Sequence, residues 1–170
     1  AEALNNLDKV DAICHLVRSF ADESVYHLSG SVDPARDISR FAEDLQFADM
    51  VFVDKRLERI ERERKGQKEE SREKDLLERM QSLLEAGQPL SEFDFSEEEE
   101  KLVASYPLLS RKPVVNILNI DEDAVQDGDQ LETLKAEFAG APFSWVAVSA
   151  KIEEELAELD EEEREAFLAD

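Results

Sequence analysis

Two patterns of apolar residues alternate along this chain, and they predict different elements. Val10 to Phe20, V-D-A-I-C-H-L-V-R-S-F, packs Val, Ile and Leu into a short run, which predicts a central strand buried on both faces. Val25 to Leu28 predicts a short edge strand, and Ala1 to Leu7 reads as the last turns of a helix. Asp33-Pro34 then supplies a helix start, with Asp33 as N-cap and Pro34 at the first helical position. Neither Gly nor Pro follows until Gly66, so a single helix can run to about Glu63. Its apolar residues recur at Ile38, Phe41, Leu45, Ala48 and Phe52, then at Met50, Val53, Leu57 and Ile60. That three-and-four spacing is the seam of a helix packed on one partner helix.

The partner is Ser71 to Glu85, with Leu76, Leu77, Met80, Leu83 and Leu84 on one face and Gly87 and Pro89 ending it. With the reversal at Gly66, the two predict an antiparallel hairpin that projects as an arm with a mobile tip. Such a seam is half enclosed, so Leu76→Ala is expected to cost about 2 kcal/mol. Phe93 and Phe95 read as anchors of the arm's base, and Ser96 as N-cap of a short helix reaching Ser105.

Beyond the arm, Lys112 to Glu122 reads K-P-V-V-N-I-L-N-I-D-E, an apolar strand delivering Asn-x-x-Glu at its carboxyl end. A helix from Gln130 to Phe138, a strand from Phe143 to Val148 ending in Ser149-Ala150-Lys151, and an acidic helical tail from about Ile152 complete the chain. Strand, arm, strand, helix, strand, helix is the order of a parallel α/β sheet interrupted by an insertion. Polar tips of parallel strands at one sheet edge are where such folds bind ligands.

Charge narrows the partners. A net charge of −23 argues against a general nucleic-acid binder or an acidic-membrane binder, because like charges repel. No apolar stretch has the length of a membrane span and no signal peptide opens the chain, so a cytoplasmic protein is expected. The single cysteine, Cys14, reads as a buried thiol. His15 and His27 lack a Cys or second His at ligand spacing and read as strand histidines with ordinary partners. The span 55–74 holds nine of the twenty Lys and Arg residues, interleaved with Glu. It fits either a solvated helix face laced with ion pairs or a contact to RNA phosphates.

At the two strand tips, Asn119, Ile120 and Glu122 face the question of chemistry. A carboxylate there can accept two donors from guanine. An Asp does this in GTPases, and Glu is one methylene longer, which weakens guanine selection and admits adenine. The alternative is a solvated acidic loop flanked by Asp121 and Asp123. Ser149, Ala150 and Lys151 read as a second base-side loop, as the N-cap of the following helix, or as both.

D-A-I-C-H-L-V-R-S-F (11–20), V-Y-H-L-S-G-S-V-D-P-A-R-D-I (25–38), L-L-S-R-K-P-V-V-N-I-L-N-I-D-E-D (108–123) and V-A-V-S-A-K-I-E-E-E-L-A-E-L (146–159) together resemble the YchF/Obg-like ATPase family of P-loop NTPases. The resemblance implies an α/β fold: the base-side half of a parallel-sheet P-loop NTPase G domain with an inserted antiparallel helical coiled-coil arm. The expected division is 1–32 as partial G domain, 33–92 as the arm, and 93–170 as the rest of the G domain with base-reading loops and acidic C-terminal helices. It implies that Asn119, Ile120 and Glu122 contact the base and that Ser149, Ala150 and Lys151 form the second base loop. It also implies ATP or GTP with Mg as cofactors of the intact parent, ribosome association, and phosphate-loop and TGS segments beyond Ala1 and Asp170. Within the 170 residues no G-x-x-x-x-G-K-[ST] occurs and the glycines are isolated. The chain therefore reads as truncated, with no nucleotide expected on it alone and no hydrolysis. The alternative is a non-enzymatic interaction module whose hairpin binds a protein or ribosomal partner.

Overall fold

The computed structural model describes residues 4, 6–63, 68–125 and 128–169. They form two compact units, one of 1–13 and 39–113 and the other of 14–38 and 114–170. The chain passes between the units within β1 (Ile13–Arg18) and α1 (Pro34–Glu63), and again at Pro113.

The second unit is built on a sheet of β1, β2 (Val114–Asn119) and β3 (Phe143–Val148), in that order. β2 and β3 pair in parallel, from Val114 opposite Phe143 to Asn119 opposite Val148. β1 runs the same way. Its flanking amides, Ile13 and Ser19, donate to the carbonyls of Pro113 at 2.9 Å and Asn119 at 2.8 Å, so numbers rise together on both strands. Strand alternation then sends Val17 and Leu118 to one face, where they pack with Ile38, Ile120 and Leu134. Phe138, Phe143 and Trp145 extend that core as three rings about 6 Å apart. Phe138 closes α4 (Asp129–Glu137), which starts after Gly128 at φ 62°, a left-handed conformation that glycine adopts without strain. α5 (Ala150–Glu158) and α6 (Glu161–Ala169) follow, the latter opened by reciprocal bonds between Asp160 and Glu163.

Two expectations about this unit are corrected. β1 lies at an edge of the three described strands, and Cys14 and Leu16 are exposed on the face away from the core. An apolar run does not reveal whether both faces of a strand are covered; here one is. Val25 to Leu28 is a loop. The guanidinium of Arg18 donates to the carbonyls of Phe20, Asp22 and Val25, and Asp22 Oδ1 accepts from Ser24 N–H at 2.8 Å. These bonds fix a turn in place of a ladder. His27 therefore sits in a loop, paired with Asp37 at 3.2 Å.

In the first unit α1 continues beside α2 (Lys68–Glu85). Arg56 binds Glu73 through two bonds of 2.6 and 3.0 Å, Gln81 donates to Asp54 at 2.7 Å, and Lys74 lies 3.7 Å from Glu61. From the Asp54–Gln81 pair to the Glu61–Lys74 pair numbers rise on α1 and fall on α2, so the pair is antiparallel, as its apolar spacing predicts. The expected seam residues Leu45, Leu76 and Met80 are buried, and Phe52 and Leu83 pack half-buried against the cluster that holds Leu76 and Met80. The reversal at Gly66 and the tip expected to be mobile lie outside the described residues.

The seam is more enclosed than a bare hairpin's. Leu76, Leu77 and Met80 share one core with Leu90, Val103 and Leu108, supplied by the chain after α2 and by α3 (Glu97–Val103). Ser96 caps α3 in a reciprocal box with Glu99. The rings of Phe93 and Phe95 lie 4.4 Å apart, tilted by 44°, each covered by a guanidinium, Arg79 at 4.9 Å and Arg111 at 4.3 Å. Asp49, fully buried on α1, accepts from the amides of Leu109 (2.6 Å) and Ser110 (2.8 Å) and from the Ser110 hydroxyl (2.6 Å).

Candidate functional site

The carboxyl ends of β2 and β3 open onto one cleft of about 400 Å³. All six residues singled out from sequence line it: Asn119, Ile120 and Glu122 from the first strand end, Ser149, Ala150 and Lys151 from the second. Parallel pairing in register is what brings them together, since Asn119 lies opposite Val148 and the two loops leave the sheet side by side.

Each position is held by local bonding. Asn119 uses its side-chain oxygen, Oδ1, to accept the Ala150 N–H at 3.0 Å, while its main-chain carbonyl takes the Ser19 N–H. Among the described residues no bond is made by its Nδ2, so the amide keeps its N–H donors on a residue that lines the cleft. Ile120 is only 8% exposed, its N–H donating to the Val148 carbonyl at 2.9 Å, so it offers the cleft an apolar floor and little freedom. Asp121 caps the turn Glu122–Ala124 by accepting from Glu122 N–H at 2.8 Å. Ser149, buried, accepts from Ile152 N–H at 3.5 Å and is the N-cap of α5. The two readings of Ser149, helix cap and part of a site, are thus compatible.

Glu122 and Lys151 form an ion pair from one loop to the other. The hydrogen bond and charge of Glu122 raise the Lys151 ammonium above its ordinary value, with smaller contributions from Glu155 and Asp121. The Glu122 carboxylate is thus already engaged by a cation.

One part of the cleft was not anticipated from sequence. Phe20, Ala21 and Asp22, just beyond β1, line it as well. The rule that parallel strands present ligands at their carboxyl ends applies to β1 as much as to β2, and was the available signal. Nearby in the sheet, His15 Nδ1 pairs with Asn116 Oδ1 at 3.0 Å; burial lowers its imidazole below the ordinary value, opposed by that bond and by the charge of Asp37. Among the described residues no group of three or more His, Cys, Asp or Glu is placed to hold a metal ion.

A parallel sheet carrying Asn-x-x-Glu and Ser-Ala-Lys around one cleft, with an antiparallel helical pair inserted between its strands, is the base-side portion of a P-loop NTPase fold. A solved structure of the YchF GTPase of Schizosaccharomyces pombe matches 95% of the chain and 46% of its own, with a TM-score of 0.80 and 29% identity. The ribosome-binding ATPase YchF of Bacillus subtilis is 37% identical over 169 residues, 97% of this chain and 46% of that protein. Its counterpart in Haemophilus influenzae is 32% identical over 168 residues, and Obg-like ATPase 1 of Oryza sativa subsp. indica is 32% identical over 125. No family model matches the chain. Over the part of those proteins that it spans, the chain belongs to the YchF/Obg-like ATPase family. It spans about half the length of the curated YchF relatives it matches.

Proposed function

We propose that this chain supplies the purine-reading side of an ATP- or GTP-binding site in an Mg-dependent, ribosome-associated, cytoplasmic NTPase. The observation that carries the reading is the cleft itself. Its two loops are joined by the Asn119–Ala150 bond, and Asn119, with its Nδ2 donors uncommitted among the described residues, and Ile120 line the same space. A purine needs a flat apolar contact and a few fixed donors and acceptors at its edge, and those are the groups present. Ser149, Ala150 and Lys151 form the opposite wall.

The phosphate end of a nucleotide does not fit these residues. Phosphates are held by clustered backbone N–H groups and a Lys, and no such loop occurs in the 170 residues. Mg likewise has no ligand set among the described residues. Phosphate and metal contacts are therefore assigned to sequence outside this chain, and hydrolysis to the intact protein. The 170-residue chain alone is expected to bind ATP or GTP very weakly and to hydrolyse neither.

Ribosome association is stated in the names of the YchF relatives and extended here as a proposal. Across 55–74 Arg56, Arg62, Arg72 and Lys74 are paired with carboxylates of their own unit, so an RNA contact there must compete with those pairs. No helix among the described residues is long and apolar enough to cross a membrane.

Calorimetric titration with Mg-ATP and Mg-GTP tests the reading. The intact protein is expected to bind at least one of them saturably, and the 170-residue chain to show no micromolar signal. Absence of binding by the intact protein favours the interaction module; micromolar binding by the chain alone means a phosphate site elsewhere in it.

A further inference from the structure

The Glu122–Lys151 pair joins the two loops that flank the cleft, and both side chains line it. Guanine presents N1–H beside an exocyclic amine, two adjacent donors that a free carboxylate accepts together. Adenine presents a bare N1 lone pair at the same place, which a free carboxylate repels. A carboxylate held by an ammonium does neither well. We propose that Lys151 is a specificity-determining residue, whose pairing with Glu122 withholds the carboxylate from the purine edge and biases the cleft toward adenine. The proposal rests on the reading of the cleft as a purine site.

Exposure makes this role separable from folding. The Lys151 side chain is 68% exposed and that of Glu122 33%, and solvent-facing pairs of this kind contribute little to stability. Removing the ammonium therefore leaves a folded protein with a freed carboxylate. It also leaves Asp121, Glu122 and Glu154 lining the cleft without their cation, which weakens every polyphosphate ligand. ATP and GTP carry the same phosphates, so that common loss cancels in their ratio and the base preference remains.

The experiment is competition of ATP against GTP for the intact protein that carries this chain, as wild type, Lys151→Met, Lys151→Arg and the double variant Lys151→Met with Glu122→Gln. The GTP:ATP affinity ratio is expected to rise about fivefold or more in Lys151→Met, the lower end of what one two-point base contact confers. It should stay within twofold of wild type in Lys151→Arg, which keeps the cation. The double variant should return toward wild type, because the carboxylate is gone. An unchanged ratio in Lys151→Met overturns the proposal while leaving the cleft a purine site. A ratio that rises equally in Lys151→Met and in the double variant also overturns it, since Glu122 is then not the reader. Failure of the intact protein to bind either nucleotide removes the purine reading and this proposal with it.

Discussion

Asn119 Oδ1 accepts the backbone N–H of Ala150 at 3.0 Å, so one side chain at the end of β2 holds the first residue of α5 in place. The same residue lines the cleft and leaves its Nδ2 donors uncommitted among the described residues. One side chain thus shapes the site and supplies a contact within it, and the two roles separate by substitution.

Asn119→Asp keeps an acceptor for Ala150 and loses the amide donor. The fold, read by circular dichroism, is expected to be unchanged, while purine affinity of the intact protein falls about fivefold, the worth of one lost hydrogen bond. Adenosine, which has no phosphate charge to be repelled by the new carboxylate, is the control ligand. Asn119→Ala loses the tie as well and should cost about 1 kcal/mol of stability. Wild-type affinity of Asn119→Asp for adenosine would show that the amide does not read the base.

Leu76 is 1% exposed and shares its core with residues beyond the helical pair, which revises the half-enclosed estimate upward. Leu76→Ala should cost about 3–4 kcal/mol in urea unfolding, within the range for fully enclosed leucines. Phe47, on the same helix α1 but 69% exposed, is the contrast, and Phe47→Ala should stay within about 0.5 kcal/mol. Equal costs at the two sites would contradict the described packing.

Asp49 tests the base of the arm. Its carboxylate serves two amides and a hydroxyl in a fully buried position, so Asp49→Ala orphans the Leu109 and Ser110 N–H groups. Each buried donor left unpaired costs about 1–3 kcal/mol, so a loss of about 3 kcal/mol is expected. Amide exchange at Leu109 and Ser110 should rise together. Exchange unchanged at both would place their protection elsewhere.

His15 gives a pH dependence. Its folded value lies below the unfolded 6.5, with burial the largest cause and the Asn116 bond and Asp37 charge opposing. The unfolded chain then binds the proton first on acidification. Stability is unaffected above about pH 7 and falls as pH drops through 6.5 toward the folded value. His15→Gln should flatten that part of the curve. A slope below pH 6.5 identical in both proteins would assign it to other groups.

Much of this was legible in the sequence, for physical reasons that differ by element. Asp33-Pro34 and the lack of Gly or Pro before Gly66 delimit a helix whose observed span is Pro34–Glu63. Phe143 to Val148 reads as a strand and is one. The six cleft residues could be named because strand ends in a parallel sheet converge. The pairing of Glu122 with Lys151 was not legible, because it depends on how two loops face each other. Nor was the exposure of Cys14 and Leu16, since an apolar strand records what it can bury and not what covers it. At Val25 to Leu28 the β-branched and aromatic composition was overridden by Arg18, whose guanidinium takes the Val25 carbonyl along with those of Phe20 and Asp22 and so folds the segment into a turn.

The central claim, that the cleft between the ends of β2 and β3 holds a purine, is tested most directly by photo-crosslinking. The intact protein carrying this chain is irradiated with 2-azido-ATP and the labelled peptides are mapped by mass spectrometry. The account predicts saturable labelling confined to peptides containing 119–122, 149–151 or 20–22, abolished by excess ATP. Saturable labelling on any other segment, with these three unlabelled, would contradict it.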